Sequence, residues 1–145
     1  MVRRVLHSSI TVSNRDKAVR FYSDVLGLEL VFIRESSGKG LSEALGVVDA
    51  HLKIGMMKAG EDFVELIEYV NPKSPPKRIV PSDVGGMHIA LEVDDIEALG
   101  LKLRKYGCAF NTPPRLIEEG PMKGWLWAYF RDPDGSQLEA VELRR

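Results

Sequence analysis

Several things are scarce in this sequence, and each scarcity closes a class of function. There is a single cysteine, Cys108, among 145 residues. An internal disulfide is therefore excluded, and so is a paired-cysteine metal knuckle. Next to Gly107, Cys108 reads as a small buried hydrophobe. Neither sign of charge dominates: the formal net charge is −1. No basic stripe interleaved with aromatics occurs, which argues against nucleic acid or an anionic membrane surface as a partner. No apolar run is long enough to cross a bilayer, and the N-terminus lacks the charged, apolar and small-residue order of a secretory signal. A cytoplasmic location is the expectation. Histidine is scarce as well, with three in the chain, so the positions of those three carry weight.

What is present is ordinary for a globular protein, with 44% apolar and 28% charged residues. The length suits one domain, or two small modules sharing a core. Val5 to Val12 alternates like a strand. Ser13 or Asn14 then caps a helix carrying Ala18, Val19, Tyr22 and Leu26 at helical spacing. Gly27 stops it, Leu28 to Ile33 reads as a strand, and Ser36 to Gly40 as a loop. Leu52 to Met57 and Phe63 to Val70 form a hairpin pair around Ala59-Gly60. The second half repeats this order. His88 to Val93 is a strand, Asp94 or Asp95 caps a helix through Leu99, Leu103 and Tyr106, and Gly107 closes it. Ala109 to Ile117 contains a strand that Pro113 and Pro114 confine to an edge or a bend. Trp125 to Phe130 follows, then the turn Asp132-Pro133-Asp134-Gly135, then Gln137 to Leu143. Between the halves lies NPKSPPKRIVPSD, whose prolines suit a linker. The organisation predicted is two copies of one unit.

The duplication extends to chemistry. His7 opens the first strand of one half and Glu65 lies on its last strand; His88 and Glu139 hold the matching places in the other half. By strand parity Leu6, Ile10 and Val12 share one face, with His7, Ser9 and Thr11 opposite. Ile89, Leu91 and Val93 share one face, with His88, Ala90 and Glu92 opposite. Both histidines therefore lie away from the face expected to pack on helices. Phe63, Ile67 and Tyr69 are in phase with Glu65, and Val141 and Leu143 with Glu139. A face mixing ligand-type polar groups with large apolar ones suits a cavity wall. Trp125, Trp127 and Tyr129 share a face and either line that wall or form a cross-strand cluster. Glu68 and Glu142, each three residues on, point the other way and read as solvated charges.

Imidazole nitrogen and carboxylate oxygen suit Zn²⁺, Ni²⁺, Co²⁺, Mn²⁺ or Fe²⁺. Two histidines and two glutamates leave an octahedral ion two positions for water or a bidentate oxygen substrate, which permits Lewis-acid stabilisation of an enolate. A nearby glutamate can carry the proton. A lone strand histidine is more often structural or exposed than a ligand; it is the repeat that favours the metal.

At these residues the chain resembles the vicinal oxygen chelate superfamily, the group of glyoxalases, bleomycin-resistance proteins and type I extradiol dioxygenases. The likeness is carried by LHSSITVSNRDKAVRFYSDVLGLEL, DFVELIEY, GGMHIALEVDDIEAL and FRDPDGSQLEAVEL. The resemblance implies an α+β fold of two tandem βαβββ modules, 1–70 and 84–145 with linker 71–83, forming a curled mixed sheet, an open barrel around a metal cavity. It implies metal ligands on the first, fourth, fifth and eighth strands, which are His7, Glu65, His88 and Glu139 here, with Glu139 catalytic. The implied activity is that of a divalent-metal-dependent lyase or isomerase of the glyoxalase or methylmalonyl-CoA epimerase type. It would act through a metal-stabilised enolate on a small oxygen-chelating substrate, acyl-CoA thioesters included. The resemblance also implies a homodimer. Epimerases of the family need a second acid or base, for which Glu43, Asp49 and His51 are the nearby residues. Extradiol dioxygenases use two His and one Glu in a longer chain, against which Glu65 and the short length count. Metal-free antibiotic binders lack the ligand set, and in that reading Trp125, Trp127 and Tyr129 would bind by stacking.

Overall fold

The structure is a computed structural model describing residues 1–75, 77 and 79–144. The chain divides into two compact units, 1–76 and 77–145. Each is a four-stranded mixed sheet with a helix of ten residues following its first strand. Of the proline-rich linker, Pro76 and Arg78 lie outside the described residues; the remainder of 72–83 holds neither helix nor strand.

In the first unit β1 (Ser8–Thr11) leads into α1 (Arg15–Asp24), then β2 (Glu29–Ser37), a short α2 (Lys39–Leu45), β3 (His51–Ala59) and β4 (Asp62–Asn71). The sheet order is β1-β4-β3-β2, with β1 parallel to β4 and the other pairs antiparallel. Asn14 is the cap, its side chain accepting from Lys17 N–H at 2.9 Å, so the first turn gains an acceptor for an otherwise orphan donor. The buried face of α1, with Ala18, Phe21 and Tyr22, packs on β3 and β4 against Leu52, Ile54, Val64 and Leu66. Each large side chain fully buried there contributes about 1.5–3 kcal/mol. Gly55 allows the helix this approach: a Cβ on it would stand 2.9 Å from Val19 Cγ2 and 3.3 Å from Arg15 Cδ.

The second unit contains β5 (Ile89–Glu92), α3 (Ile96–Lys105), β6 (Arg115–Leu116), β7 (Leu126–Arg131) and β8 (Gln137–Glu142) in the order β5-β8-β7-β6, again with the first and last strands parallel. Asp95 caps α3, accepting from Ala98 N–H at 2.8 Å. Ile96, Leu99 and Leu103 pack with Leu126, Ala128, Phe130, Leu138 and Ala140 in the core of this unit. Both ten-residue helices are followed by a glycine in the left-handed region, Gly27 at φ 74° and Gly107 at φ 75°, where a side chain would be strained.

Four expectations need correcting. The segment after Gly38 is not all loop: α2 forms there with no residue buried and Leu41 and Ser42 only half-buried, so no buried face announces it. Leu6 is 61% exposed, because it lies ahead of β1, which begins only at Ser8. The strand within 109–117 shrinks to two residues at the sheet edge, plus a single bridge from Phe110 to Phe130, since Pro113 and Pro114 cannot donate to a ladder. Cys108 is half-buried.

Candidate metal centre

Parallel pairing of the first and last strand creates the same local geometry in each unit. Ser9 is the register partner of Glu65, and Ala90 that of Glu139. Each histidine stands two residues before that partner, so it shares its face and reaches the glutamate diagonally. His7 Nε2 lies 3.5 Å from Glu65 Oε2, and His88 Nε2 lies 3.1 Å from Glu139 Oε2. The surroundings match too: the histidine side chains are 37% and 41% exposed, the glutamates 16% and 17%. The opposite face of β4 holds buried Val64 and Leu66, and that of β8 holds buried Leu138 and Ala140. Glu65 and Glu139 thus face away from the helices.

Two ligands at about 2.1 Å from one ion are about 3.0 Å apart in octahedral and about 3.4 Å apart in tetrahedral geometry. Both pairs fit that spacing, and an imidazolium–carboxylate contact fits it as well. Proximity to a carboxylate does not by itself single these histidines out, because His51 Nε2 stands 2.5 Å from Glu35 Oε1. That third pair is closer than two ligands on one ion would be, and it has no counterpart in the second unit. Among the described residues no group of three or more His, Cys, Asp or Glu side chains is gathered within one place. The donors come as two pairs, one per unit.

Tyr129 is the register partner of Glu139 on β7. Its phenol pKa is raised, first by burial and then by the charge of neighbouring Glu139. Its ring meets His88 edge-on at 5.1 Å and Trp127 at 5.5 Å. Trp125, Trp127 and Tyr129 are half-buried, while the alternating Leu126, Ala128 and Phe130 are buried. The turn at Asp132 to Gly135 holds β8 against β7: Asp132 Oδ1 accepts from Ser136 N–H at 2.7 Å, and Gly135 N–H donates to Asp132 O at 2.9 Å.

Glu68 and Glu142 are not solvated charges. Glu68 is 9% exposed and its Oε2 accepts from Arg15 N–H at 2.8 Å; Glu142 Oε2 accepts from Ile96 N–H at 2.9 Å. Arg15 and Ile96 are the first residues of α1 and α3. Each glutamate therefore satisfies an orphan helix donor at the positive end of the helix dipole. The signal was in the sequence: Glu-x-x-Glu recurs at the end of both halves, the first member facing the ligand side and the second the helix.

Glu43, Asp49 and His51 line a different feature, a cavity of about 720 Å³ over α2 and the start of β3, together with Ser37, Lys39 and Val48. Asp49 has φ 50° there, and its carbonyl accepts from Asn71 Nδ2 at 2.7 Å. His51 opens β3, whereas the β3 partner of Glu65 is Met56, roughly 17 Å further along at about 3.3 Å per residue. His51 does not reach Glu65 from there, and nothing brings Asp49 or Glu43 to it.

Residues 4–140 match the family described as the Glyoxalase/Bleomycin resistance protein/Dioxygenase superfamily. The chain belongs to this superfamily. It is 35% identical over 144 residues to a 2-epi-5-epi-valiolone epimerase of Actinomyces sp, a match covering 96% of this chain and 79% of the relative. It is 32% identical over 142 residues to a lactoylglutathione lyase of Haemophilus influenzae, covering 96% and 92%. A solved glyoxalase family protein of Bacillus cereus has the same fold, with a TM-score of 0.83 over 98% of this chain and 95% of that one at 20% identity. Among the described residues no helix is long and apolar enough to cross a membrane.

Proposed function

We propose that the chain is a divalent-metal-dependent lyase or isomerase of the glyoxalase/epimerase type, acting on a small substrate with adjacent oxygens. The observation that carries this reading is the duplication: a His–Glu pair at ligand spacing in each unit, the histidine immediately before the first strand and the glutamate on the last. In this reading His7, Glu65, His88 and Glu139 together hold one ion, Zn, Ni, Co, Mn or Fe. Relatives named as an epimerase and as a lactoylglutathione lyase support the reaction class.

Once bound, such an ion supplies Lewis-acid polarisation of a substrate carbonyl and stabilises the enolate charge left when the α-proton departs. The chain's own part is to move that proton and to keep water out. Glu139 is the proton carrier: its carboxylate is half-buried and stands beside the aromatic wall, where Tyr129 and Trp127 meet edge to face. Glu65 is flanked at the equivalent position by Met56. Trp125, Trp127 and Tyr129 bind the substrate's apolar part by stacking and shield the reacting carbon. A homodimer is part of the proposal, supported by the edge strand β2, whose Leu30, Val31, Phe32 and Ile33 are all exposed. An apolar free edge of that kind favours a covering partner.

The test is incubation of metal-loaded protein in D₂O with candidate acyl-CoA thioesters and hemithioacetals, followed by NMR. Exchange or transfer of the α-proton that needs the metal and is lost in Glu139→Gln is expected. Oxygen uptake with catechols and no α-proton exchange would overturn the reading in favour of ring cleavage.

A further inference from the structure

In the first unit the glutamate of the His–Glu pair receives a hydroxyl hydrogen bond. The donor is on the parallel neighbour strand: Ser9 Oγ donates to Glu65 Oε2 at 2.7 Å from the register-matched position of β1. The antiparallel neighbour there is Met56, which has no donor. In the second unit the residue at the place of Ser9 is Ala90, which has no side-chain donor.

We propose that Ser9 is a positioning residue that holds Glu65 in the orientation it needs to share a divalent ion with His7. The proposal rests on the metal reading above. A carboxylate has about four lone-pair directions, and a glutamate side chain can turn through several rotamers. A hydroxyl on one oxygen fixes the plane of the group and leaves other lone pairs for the ion. Loss of such an outer partner lowers metal affinity about 10–100-fold.

The experiment is a Co²⁺ titration of the full chain, read by the visible ligand-field bands and by competition with a chelator, for wild type, Ser9→Ala and Ser9→Thr. Ser9→Ala should bind Co²⁺ at least about tenfold more weakly and with altered bands. Ser9→Thr, which keeps the hydroxyl on a β-branched side chain suited to a strand, should restore binding and spectrum. Wild-type uptake of Co²⁺ with Ser9→Ala indistinguishable from it would overturn the proposal alone. A wild-type chain that takes up no Co²⁺ would overturn the metal reading and the proposal with it.

Discussion

The buried helix cap at Glu68 offers a stringent test of the repeated architecture. In Glu68→Ala the N–H of Arg15, buried and donating to the carboxylate at 2.8 Å, loses its acceptor in a place water does not reach. An unsatisfied buried donor costs about 1–3 kcal/mol, and loss of a carboxylate at a helix N-terminus about 0.3–1 kcal/mol more. The sum is about 1.3–4 kcal/mol, equivalent to a fall in Tm of roughly 3–16 °C for a chain of this size. Glu142→Ala removes the equivalent bond to Ile96, but that bond is only partly buried. Water then replaces part of what is lost, and the cost should be smaller, about 1 kcal/mol. Glu68→Gln keeps an oxygen acceptor and should fall between wild type and Glu68→Ala. Urea denaturation followed by far-UV circular dichroism, at constant m-value, measures all three. A Glu68→Ala variant within about 0.5 kcal/mol of wild type, or one less destabilised than Glu142→Ala, would refute the reasoning.

Two further outcomes follow from particular contacts. Gly55→Ala places a methyl 2.9 Å from Val19 Cγ2; forcing α1 from β3 should cost about 1–3 kcal/mol in the same urea assay, without altering the His–Glu pairs. The thiol of Cys108 has its pKa raised, first by burial and then by the charge of Asp132. The folded value lies above the unfolded one, so the contribution of the neutral thiol to stability is fully present below the ordinary thiol pKa and is lost as pH rises through the raised value. Alkylation of Cys108 by iodoacetamide should therefore reach half its limiting rate at a higher pH in the native protein than in urea; equal midpoints would contradict this.

Much of the fold was legible because it is written twice. The caps Asn14 and Asp95, the stops Gly27 and Gly107, and the alternation along the strands carrying Glu65 and Glu139 are local signals that need no tertiary knowledge. What escaped the sequence depends on context. Parity puts Glu68 in line with Val64 and Leu66, but whether a carboxylate on that face meets water or a helix end depends on where α1 starts. Lys39–Leu45 forms a helix with no buried residue and no side-chain cap, so neither periodicity nor capping announces it. The candidates Glu43, Asp49 and His51 were grouped by nearness in sequence to one another. Strand length then carries His51 away from Glu65, which no spacing rule in the first half of the chain would reveal. The donor Ser9 escaped because its counterpart in the second copy is Ala90, and only register brings it opposite its glutamate.

The central claim is that His7, Glu65, His88 and Glu139 serve one divalent ion. Metal content of the purified chain, reconstituted with excess divalent ion and freed of unbound metal, measures it directly by elemental analysis. The account predicts one equivalent per chain for wild type, with strong loss in both His7→Ala and His88→Ala. A wild-type chain without bound metal, or a His88→Ala variant that keeps the full equivalent, would contradict it.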